Sequence, residues 1–414
     1  MKTIYNQQQL FRLQELGGLT PLEKSLQMLQ ASNWYVQKDV TPEGAIRNLF
    51  FAHPGSIHMA RLHHYICIID ATYRTNMYNR PLLHIVGQAA NKATFAIGYC
   101  IMANETEEEY LWAINQLKTV WHPAQTPEVF VTDKDKALRN ALEEVFPDAQ
   151  HHLCSWHIST NILAACKTYF PRDDAEAWPN FKKLWQKLAS SKTVFLYDEN
   201  LAAVQAHLRP HPKIWEYLEV NVLPVKEKFV VAWAGHHLHF GNLASNRAEG
   251  AHAQLKNFLP SAKCNILTLL KAVTTAVDTQ LSFITQDLAT QETKSLKNVP
   301  KPLQCLSRKI STQAMKLLME QYTLMLDTNR PPEECSHTFT RGFGLPCHHR
   351  ISAKLERNLP FTLDDIHPQW HLAYNPEADT VVSAQFDMNF SQNLHVTDHA
   401  GVPGSWGRHM GFYP

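Results

Sequence analysis

HYICIIDATY, residues 64–73, is the stretch that decides the fold of this 414-residue chain. Its β-branched and apolar run predicts a strand buried on both faces, and the strand ends near Asp70. Two more strand patterns follow at once, LLHIVGQAA (82–90) and TFAIGYCIM (94–102). The short break AANKAT between them is typical of a hairpin. Three consecutive strands are therefore predicted from residue 64 onward.

Helices and strands alternate after these three strands. NETEEEYLWAINQLKTVW (104–121) has the spacing of an amphipathic helix that Asn104 or Thr106 can cap. EVFVTD (128–133) and AQHHLC (149–154) predict two further strands, and a helical pattern follows each of them. This order matches the ribonuclease H-like fold. We therefore expect an α/β protein with a mixed five-stranded sheet flanked by helices.

The chain is predicted to consist of seven segments. They are a mostly helical N-terminal segment (1–62), the first part of the core (63–170), an all-helical insertion (171–243), a helix that completes the core (244–262), a helical region (263–330), a small Cys/His module (331–351) and an irregular tail (352–414). The helix at 244–262 would be capped by Ser245 or Asn246. Pro-Pro at 331–332 marks the start of the Cys/His module.

Composition and charge restrict the class of protein only in part. The chain has 39 basic and 38 acidic residues, so its net charge of +1 gives no support for nucleic-acid binding. No stretch approaches the roughly 18 consecutive apolar residues of a membrane-spanning helix, and no membrane partner is expected. The polar N-terminus does not resemble a signal peptide. We therefore expect the eight cysteines to be thiols or metal ligands in a reducing compartment.

Three acids lie at positions that a sheet would bring together. Asp70 ends the first predicted strand, Asp133 ends the fourth, and Glu249 lies in the first turn of the helix SNRAEGAHAQLKNFL (245–259). Phosphodiester cleavage with two divalent ions needs hard oxygen ligands that converge from separate elements. Taken singly, each acid also fits a turn former or a first-turn helix residue. Asp135 is an alternative for the second position.

The sequences around these acids resemble the Mutator-like element (MULE) transposase family. IIDATYRTNMYNRPLLHIVG resembles its first-acid block, VTDKDKALRNALEEVFPDAQHHLCSWHISTNI its second and SNRAEGAHAQLK its third. The resemblance implies a DDE-type transposase that cuts and joins DNA at the ends of a transposon. It implies that Asp70, Asp133 and Glu249 are catalytic and bind two Mg²⁺ or Mn²⁺ ions. DNA as partner, self-association and a nuclear location are further implications.

A regulator is the alternative to an enzyme. Plant transcription factors of the FAR1 type are transposase-derived proteins that bind DNA without cutting it, and an intact set of acids favours the enzyme over such a regulator or an inactive remnant. No Cys/His cluster occurs in the first 60 residues to read DNA. FKKLWQK (181–187), with bases among aromatics, and Arg247 beside Glu249 could contact phosphates. A solvated helix face is the more common meaning of such clusters.

A Cys-x-x-His pair follows the second acid. Cys154 and His157, in HLCSWHI, lie at i and i+3 on a helix start and so face the same side. The MULE family carries such an element between its second and third acids. A metal site, a role in positioning DNA or the active site, and a buried thiol beside a hydrogen-bonded histidine are all open interpretations.

The segment ECSHTFTRGFGLPCHHRI (334–351) resembles a SWIM-type zinc finger. The family pattern is Cys-x-Cys, a spacer and Cys-x-His, which makes Cys335, His337, Cys347 and His349 the expected Zn²⁺ ligands. His337 stands where that pattern has a cysteine, although two Cys and two His also form tetrahedral zinc sites. His348 is an alternative to His349, and a loop of unligated thiols is the alternative to zinc.

Overall fold

A computed structural model describes residues 10–11, 13–170, 176–243, 247–329 and 333–372. The strands are β1 (Tyr35–Val40), β2 (Ile46–Ala52), β3 (Ile66–Thr72), β4 (Leu82–Gln88), β5 (Thr94–Ile101), β6 (Val129–Thr132) and β7 (Gln150–Leu153). They form one seven-stranded sheet in the order β1-β2-β5-β4-β3-β6-β7. The predicted caps Ser245 and Asn246, and residues 373–414 of the predicted tail, lie outside the described residues.

Helices surround this sheet. They are α1 (Pro21–Ala31), α2 (Pro54–Leu62), α3 (Glu107–Lys118), α4 (Lys136–Val145), α5 (Ser155–Cys166), α6 (Ala177–Ala189), α7 (Val194–His207), α8 (Pro212–Asn221), α9 (Val231–Ala234), α10 (Arg247–Phe258), α11 (Ile266–Thr293), α12 (Thr312–Leu326), α13 (Thr338–Phe343) and α14 (His348–Glu356). Among the described residues, no helix is long and apolar enough to cross a membrane.

The predicted ribonuclease H-like order is confirmed for β3 to β7. β3 pairs antiparallel with β4, and β4 pairs antiparallel with β5. β3 also pairs in parallel with β6, which pairs in parallel with β7. The carboxyl ends of β3, β6 and β7 therefore lie at one edge of the sheet, called here the carboxyl edge.

The mostly helical N-terminal segment predicted for residues 1–62 is wrong between α1 and α2. β1 and β2 form an antiparallel hairpin that joins the sheet through β5, so the sheet has seven strands rather than five. The reason is the apolar run of β2, in which Leu49, Phe50 and Phe51 are fully buried. Such a run is stabilised only if both faces of the strand are covered, here by helices on both sides.

Successive residues of the strands pack into different cores because their side chains alternate between the two faces. Phe50 and Ile69 join a core with α2, α3 and α4. On the opposite face, Phe51 packs with α1 and α11, and Ile68 with the C-terminal helices. The helical insertion has a separate core that α5 shares.

The irregular tail predicted from residue 352 is wrong for its first part. Residues up to 356 continue α14, and two short 3₁₀ turns follow at Leu363–Asp365 and Pro368–Trp370. Trp370 is fully buried in the core beneath the C-terminal helices. Its indole N–H donates to the Phe343 carbonyl at 2.6 Å. Trp370 therefore anchors residues 357–372 to the core, although this segment contains only two short 3₁₀ turns.

Candidate active site

Asp70 lies within β3, near its carboxyl end, and is only 9% exposed. Its register partner on β4 is His84, which is fully buried. His252, one turn after Glu249 on α10, places Nδ1 3.6 Å from Asp70 Oδ2. This acid is thus held in the sheet and surrounded by histidines.

Glu249 and His157 meet beside Asp70. His157 Nε2 lies 2.5 Å from Glu249 Oε1, and the two side chains are 21% and 25% exposed. Asp70, His157 and Glu249 each offer a ligand atom within 4.8 Å of the others, so the three could hold one metal ion. The three residues come from β3, α5 and α10. The Cys-x-x-His element therefore lies at the acidic cluster.

Asp133 directly follows β6 at the carboxyl edge, whereas Asp135 is the N-cap of α4. Asp135 Oδ1 accepts a hydrogen bond from the Leu138 amide at 2.7 Å and caps α4. Asp133 Oδ1 accepts from the Asp135 amide at 3.0 Å, and its carboxylate interacts electrostatically with His157 and Glu249. A side chain occupied as a helix cap is less available as a metal ligand.

The acids and the histidine of the cluster shift one another's pKa values. Burial, together with the negative charges of Asp133 and Glu249, raises the pKa of Asp70 to about 7 despite the nearby His157. Burial also raises the pKa of Asp133. Burial alone would lower the pKa of His157, but hydrogen bonds with Cys154 and Glu249 raise it to about 10. A protonated His157 is thus the cation that partly neutralises the three acids.

The donor set suits a hard divalent cation. Carboxylates are the ligands that Mg²⁺ and Mn²⁺ prefer. Asp70 is buried and Asp133 is half-buried, and their raised pKa values mean that both are costly to keep charged without a cation. A divalent ion would remove that cost. Asp70, Asp133 and Glu249 therefore fit divalent ions chemically.

The Cys/His module brings three of its four expected zinc ligands together. Cys335, Cys347 and His349 each offer a ligand atom within 4.8 Å of the others. Cys335 Sγ lies 3.6 Å from Cys347 Sγ, close to the roughly 3.8 Å between two sulfurs on a tetrahedral zinc ion. His337 Nδ1 lies 3.6 Å from Cys335 Sγ but is not part of that triplet. This donor chemistry fits zinc.

His348 points to another partner. Its Nδ1 lies 3.4 Å from Gln321 Oε1 on α12, and its Nε2 lies 3.9 Å from a Glu333 carboxylate oxygen. Glu333, His348 and His349 form a second set of potential metal ligands that shares His349 with the first. His349 thus belongs to both sets, whereas His348 is absent from the one that contains the cysteines.

Two glycines shape the loop between the cysteines. Gly344 has φ +63°, and a Cβ added there would lie 2.3 Å from His367 Cβ. A Cβ added at Gly342 would lie 2.3 Å from His239 Nε2. Both positions therefore require glycine, since any side chain would push the loop away from the residues it packs against.

The family model of the MULE transposase domain matches residues 66–161. Residues 66–161 are a MULE transposase domain. The matched segment contains Asp70, Asp133, Cys154 and His157. Glu249 follows the helical insertion and lies beyond it.

Similar proteins come from fungi and plants. The PKS-NRPS hybrid synthetase cheA of Chaetomium globosum is 22% identical over 414 residues, covering 90% of this chain and 9% of that protein. Protein FAR1-RELATED SEQUENCE 5 of Arabidopsis thaliana is 29% identical over 126 residues, covering 30% of this chain and 16% of that protein. The alignments therefore cover only a small part of either relative.

Among solved structures, a viral integrase domain has a weak likeness to this chain. The HTLV-2 integrase catalytic core domain in complex with magnesium is 16% identical, with 32% of this chain and 89% of that chain covered. The TM-score is 0.17, so the likeness supports no conclusion about the site.

Two histidines near the acidic cluster are not predicted from the sequence. His252 contacts Asp70, and the His84 ring stacks on the His252 ring with centroids 5.2 Å apart. Neither ring nitrogen of His84 has a hydrogen-bond partner among the described residues. The spacing of three between Glu249 and His252 on one helix was a usable signal. His84 was not recognisable, because it reaches the site only through the register of β3 with β4.

The two basic clusters considered as DNA contacts differ in the structure. Arg247 is half-buried, and its guanidinium donates to the Asn242 side chain, to the Lys92 carbonyl at 2.8 Å and to Thr94 Oγ1 at 2.9 Å. It therefore anchors α10 to the β4–β5 turn. In FKKLWQK, Phe181 and Trp185 are buried in the insertion, whereas its three lysines and Gln186 are exposed.

Proposed function

We propose that this chain is the catalytic part of a metal-dependent DNA transposase of the Mutator-like class. It would cut DNA strands at the terminal inverted repeats of a transposon and join the ends to target DNA. The observation that carries the proposal is the convergence of Asp70 and Glu249 on His157 at the carboxyl edge, with Asp133 close enough to interact with them. These residues come from four separate elements, which chance surface clusters rarely do.

The acids have distinct roles in this proposal. Asp70 and Asp133, which both have raised pKa values, would be the shared ligands of two Mg²⁺ or Mn²⁺ ions. Glu249 would complete the ligand set from α10. Such ions supply activation of the attacking oxygen and stabilisation of the leaving oxygen. His157 would hold Glu249 in place and balance charge before the ions bind.

The Cys/His module would be a structural zinc site in the same protein. Cys335, Cys347 and His349 support the proposal by their convergence, and His337, whose Nδ1 lies 3.6 Å from Cys335 Sγ, would be the fourth ligand. The module packs against the core beneath β3 and β6, where Leu345 and Ile351 are fully buried. Zinc would thus stabilise the C-terminal side of the catalytic sheet.

A second function deserves a test because relatives include FAR1-related proteins. A transposase-derived regulator would bind DNA through the same surface but leave it intact. In either case DNA would be the partner, the protein would act in the nucleus, and self-association would bring two DNA ends together. The two functions differ in whether the acids are needed for strand cleavage.

Strand cleavage on supercoiled plasmid and on duplexes from the ends of the element tests the proposal. The wild type should nick DNA in Mg²⁺ or Mn²⁺, and Asp133→Asn should abolish nicking. Asp135→Asn is the matched control, because Asn also caps helices well and this variant should remain active. Nicking by Asp133→Asn at the wild-type rate would contradict the assignment. DNA binding without nicking by any protein would favour the regulator.

A further inference from the structure

Three exposed aromatic side chains follow the carboxyl ends of β3 and β7, and a fourth, Tyr169 (51%), follows α5. Within residues 63–166, which the structure describes completely, three aromatic residues are more than a third exposed: Tyr73 (49%), Tyr78 (37%) and Trp156 (39%). Their side chains are called here the aromatic rim. Other aromatic residues of this segment are buried or half-buried, including Phe95, Phe130 and Phe146.

The strand directions explain why the rim lies beside the acids. Tyr73 directly follows β3, which carries Asp70, and Tyr78 lies further along the same loop. Trp156 follows β7 and precedes His157. Because β3, β6 and β7 are parallel, these residues emerge at the carboxyl edge, as does Asp133. The rim and the acids thus share one edge of the sheet.

The loop that bears two of the rim residues is firmly held. Asn76 Nδ2 donates to the Arg80 carbonyl at 2.8 Å, and the Tyr78 and Arg80 amides donate to Asn76 Oδ1. The Met77 amide donates to the Cys264 carbonyl at 2.8 Å. These bonds fix the loop, so the exposure of its aromatic side chains is a property of the folded structure.

Each ring of the aromatic rim is held by a contact at its hydroxyl group or at its edge. More than a third of each side chain remains exposed to solvent. The Tyr73 hydroxyl donates to Glu105, and the Tyr78 hydroxyl bonds to the backbone of Ile266. The Trp156 ring meets the His157 ring edge-on, with centroids 4.9 Å apart. Arg74, exposed between the tyrosines, adds a positive charge to the same loop. Fixed rings beside a basic side chain are typical of surfaces that stack unpaired bases and contact the adjoining phosphate.

We propose that the aromatic rim stacks unpaired bases of the DNA strand next to the phosphate being processed. The proposal rests on the proposed function, since the acids identify which phosphate the rim would adjoin. Each aromatic residue would hold a base by its ring face, which requires no particular sequence. The rim would therefore select DNA with unpaired or unstacked bases near the cut rather than a particular sequence.

Binding to labelled DNA tests the rim without requiring cleavage. Two duplexes of equal length would be compared, one blunt and one with a short 3′ overhang, each carrying 2-aminopurine near the end. All proteins would carry Asp70→Asn, which keeps the DNA intact. Protein with an intact rim should change the 2-aminopurine fluorescence of the overhang and bind it more tightly. Trp156→Ala should weaken overhang binding about tenfold and leave blunt-duplex binding nearly unchanged.

Matched variants separate stacking from folding. Trp156→Phe keeps a ring and should retain most overhang binding, while Tyr73→Ala and Tyr78→Ala should each weaken it. Phe283→Ala removes an exposed aromatic residue from α11 and should have no effect. Equal losses on both duplexes, or no loss in any rim variant, would overturn the proposal. So would the absence of a fluorescence change with an intact rim. A cleavage-deficient wild type would count against the proposed function alone, because this assay measures only binding.

Discussion

The acidic cluster and the Cys/His module are built in opposite ways. Asp70, Asp133 and Glu249 are far apart in the chain and meet only because the sheet and α10 bring them together. Cys335, Cys347 and His349 lie within one short segment, and a glycine-bearing loop suffices to bring them together. The first site therefore depends on the whole fold, and the second mainly on local geometry.

The two sites also differ in how their charges are balanced. Oxygen donors in the acidic cluster repel one another and are partly neutralised by His157. In the Cys/His module, burial raises the pKa of Cys335, while hydrogen bonds from Thr340 and nearby backbone amides outweigh burial and lower the pKa of Cys347. Repulsion between the carboxylates destabilises the acidic cluster when no metal ion is bound, and such a site is suited to reversible binding of an ion during catalysis. A site whose soft donors are already assembled suits a permanent structural ion.

The largest expected effect is at the acidic cluster. Asp70→Asn should reduce metal-dependent cleavage by about a thousandfold and should raise the melting temperature of the metal-free protein by a few degrees. The folded-state pKa of Asp70 is about 7, above its ordinary value of 3.8, so its charge destabilises the fold at pH 8 and this cost fades as pH falls through 7. Cleavage assays and thermal melts check both signs. A lower melting temperature for Asp70→Asn than for the wild type would show that the charge of Asp70 does not destabilise the fold.

The strands that carry two of the acids were predictable because each has a local sequence pattern. β-Branched runs predicted β3 and β6, and the acids at their ends followed from the same runs. The hairpin of β1 and β2 was missed, since its strands gain stability from contacts with β5 and helices distant in sequence. In FKKLWQK, the spacing of four between Phe181 and Trp185 indicates one buried helix face, which is how these residues pack.

Other features depend on contacts that a single sequence does not display. The side chain of Arg247 reaches the β4–β5 turn, so its burial follows from how α10 packs on the sheet. Asp133 is preferred over Asp135 because it directly follows the strand VFVT, where the family resemblance places the second acid. The structure adds that the Asp135 carboxylate is engaged as the cap of α4. Both cases show that side-chain function at this site is decided by packing between elements.

The next largest effect is expected at the Cys/His module. Cys347→Ser should reduce bound zinc from about one ion per chain to almost none and lower stability by several kcal/mol. Cys305→Ser is the matched control, because Cys305 is exposed and lies outside the ligand cluster. Metal analysis of the purified proteins and thermal melts provide the measurement. Equal zinc content in the two variants would contradict a zinc site at the module.

A smaller loss is expected where the acidic site depends on an anchor. Arg247→Ala leaves the Lys92 carbonyl, Thr94 and Asn242 without their donor and should cost about 2–4 kcal/mol of unfolding free energy. Arg209→Ala, at an exposed position after α7, should cost little. Urea unfolding compares the two. A selective loss of DNA affinity in Arg247→Ala, with unchanged stability, would instead assign Arg247 to phosphate contact.

The smallest effect is the coupling between His157 and Glu249. A double-mutant cycle with His157→Ala and Glu249→Gln should give a coupling energy of about 1–2 kcal/mol in metal-free protein, because the partly exposed pair is screened by solvent. Removing either partner alone leaves the other without its counter-charge. Urea unfolding of the wild type, the two single variants and the double variant measures this coupling energy.

Repeating the cycle with Mg²⁺ gives the comparison its sharpest test. If Glu249 becomes a ligand of a divalent ion, its carboxylate is shared between that ion and His157, and the coupling should fall. The thiolate and imidazole donors of the Cys/His module are not the oxygen ligands that Mg²⁺ prefers, so Mg²⁺ should leave the effect of Cys347→Ser unchanged. A coupling that stays constant in Mg²⁺ would mean that Glu249 remains with His157. The ligand set would then reduce to Asp70 and Asp133.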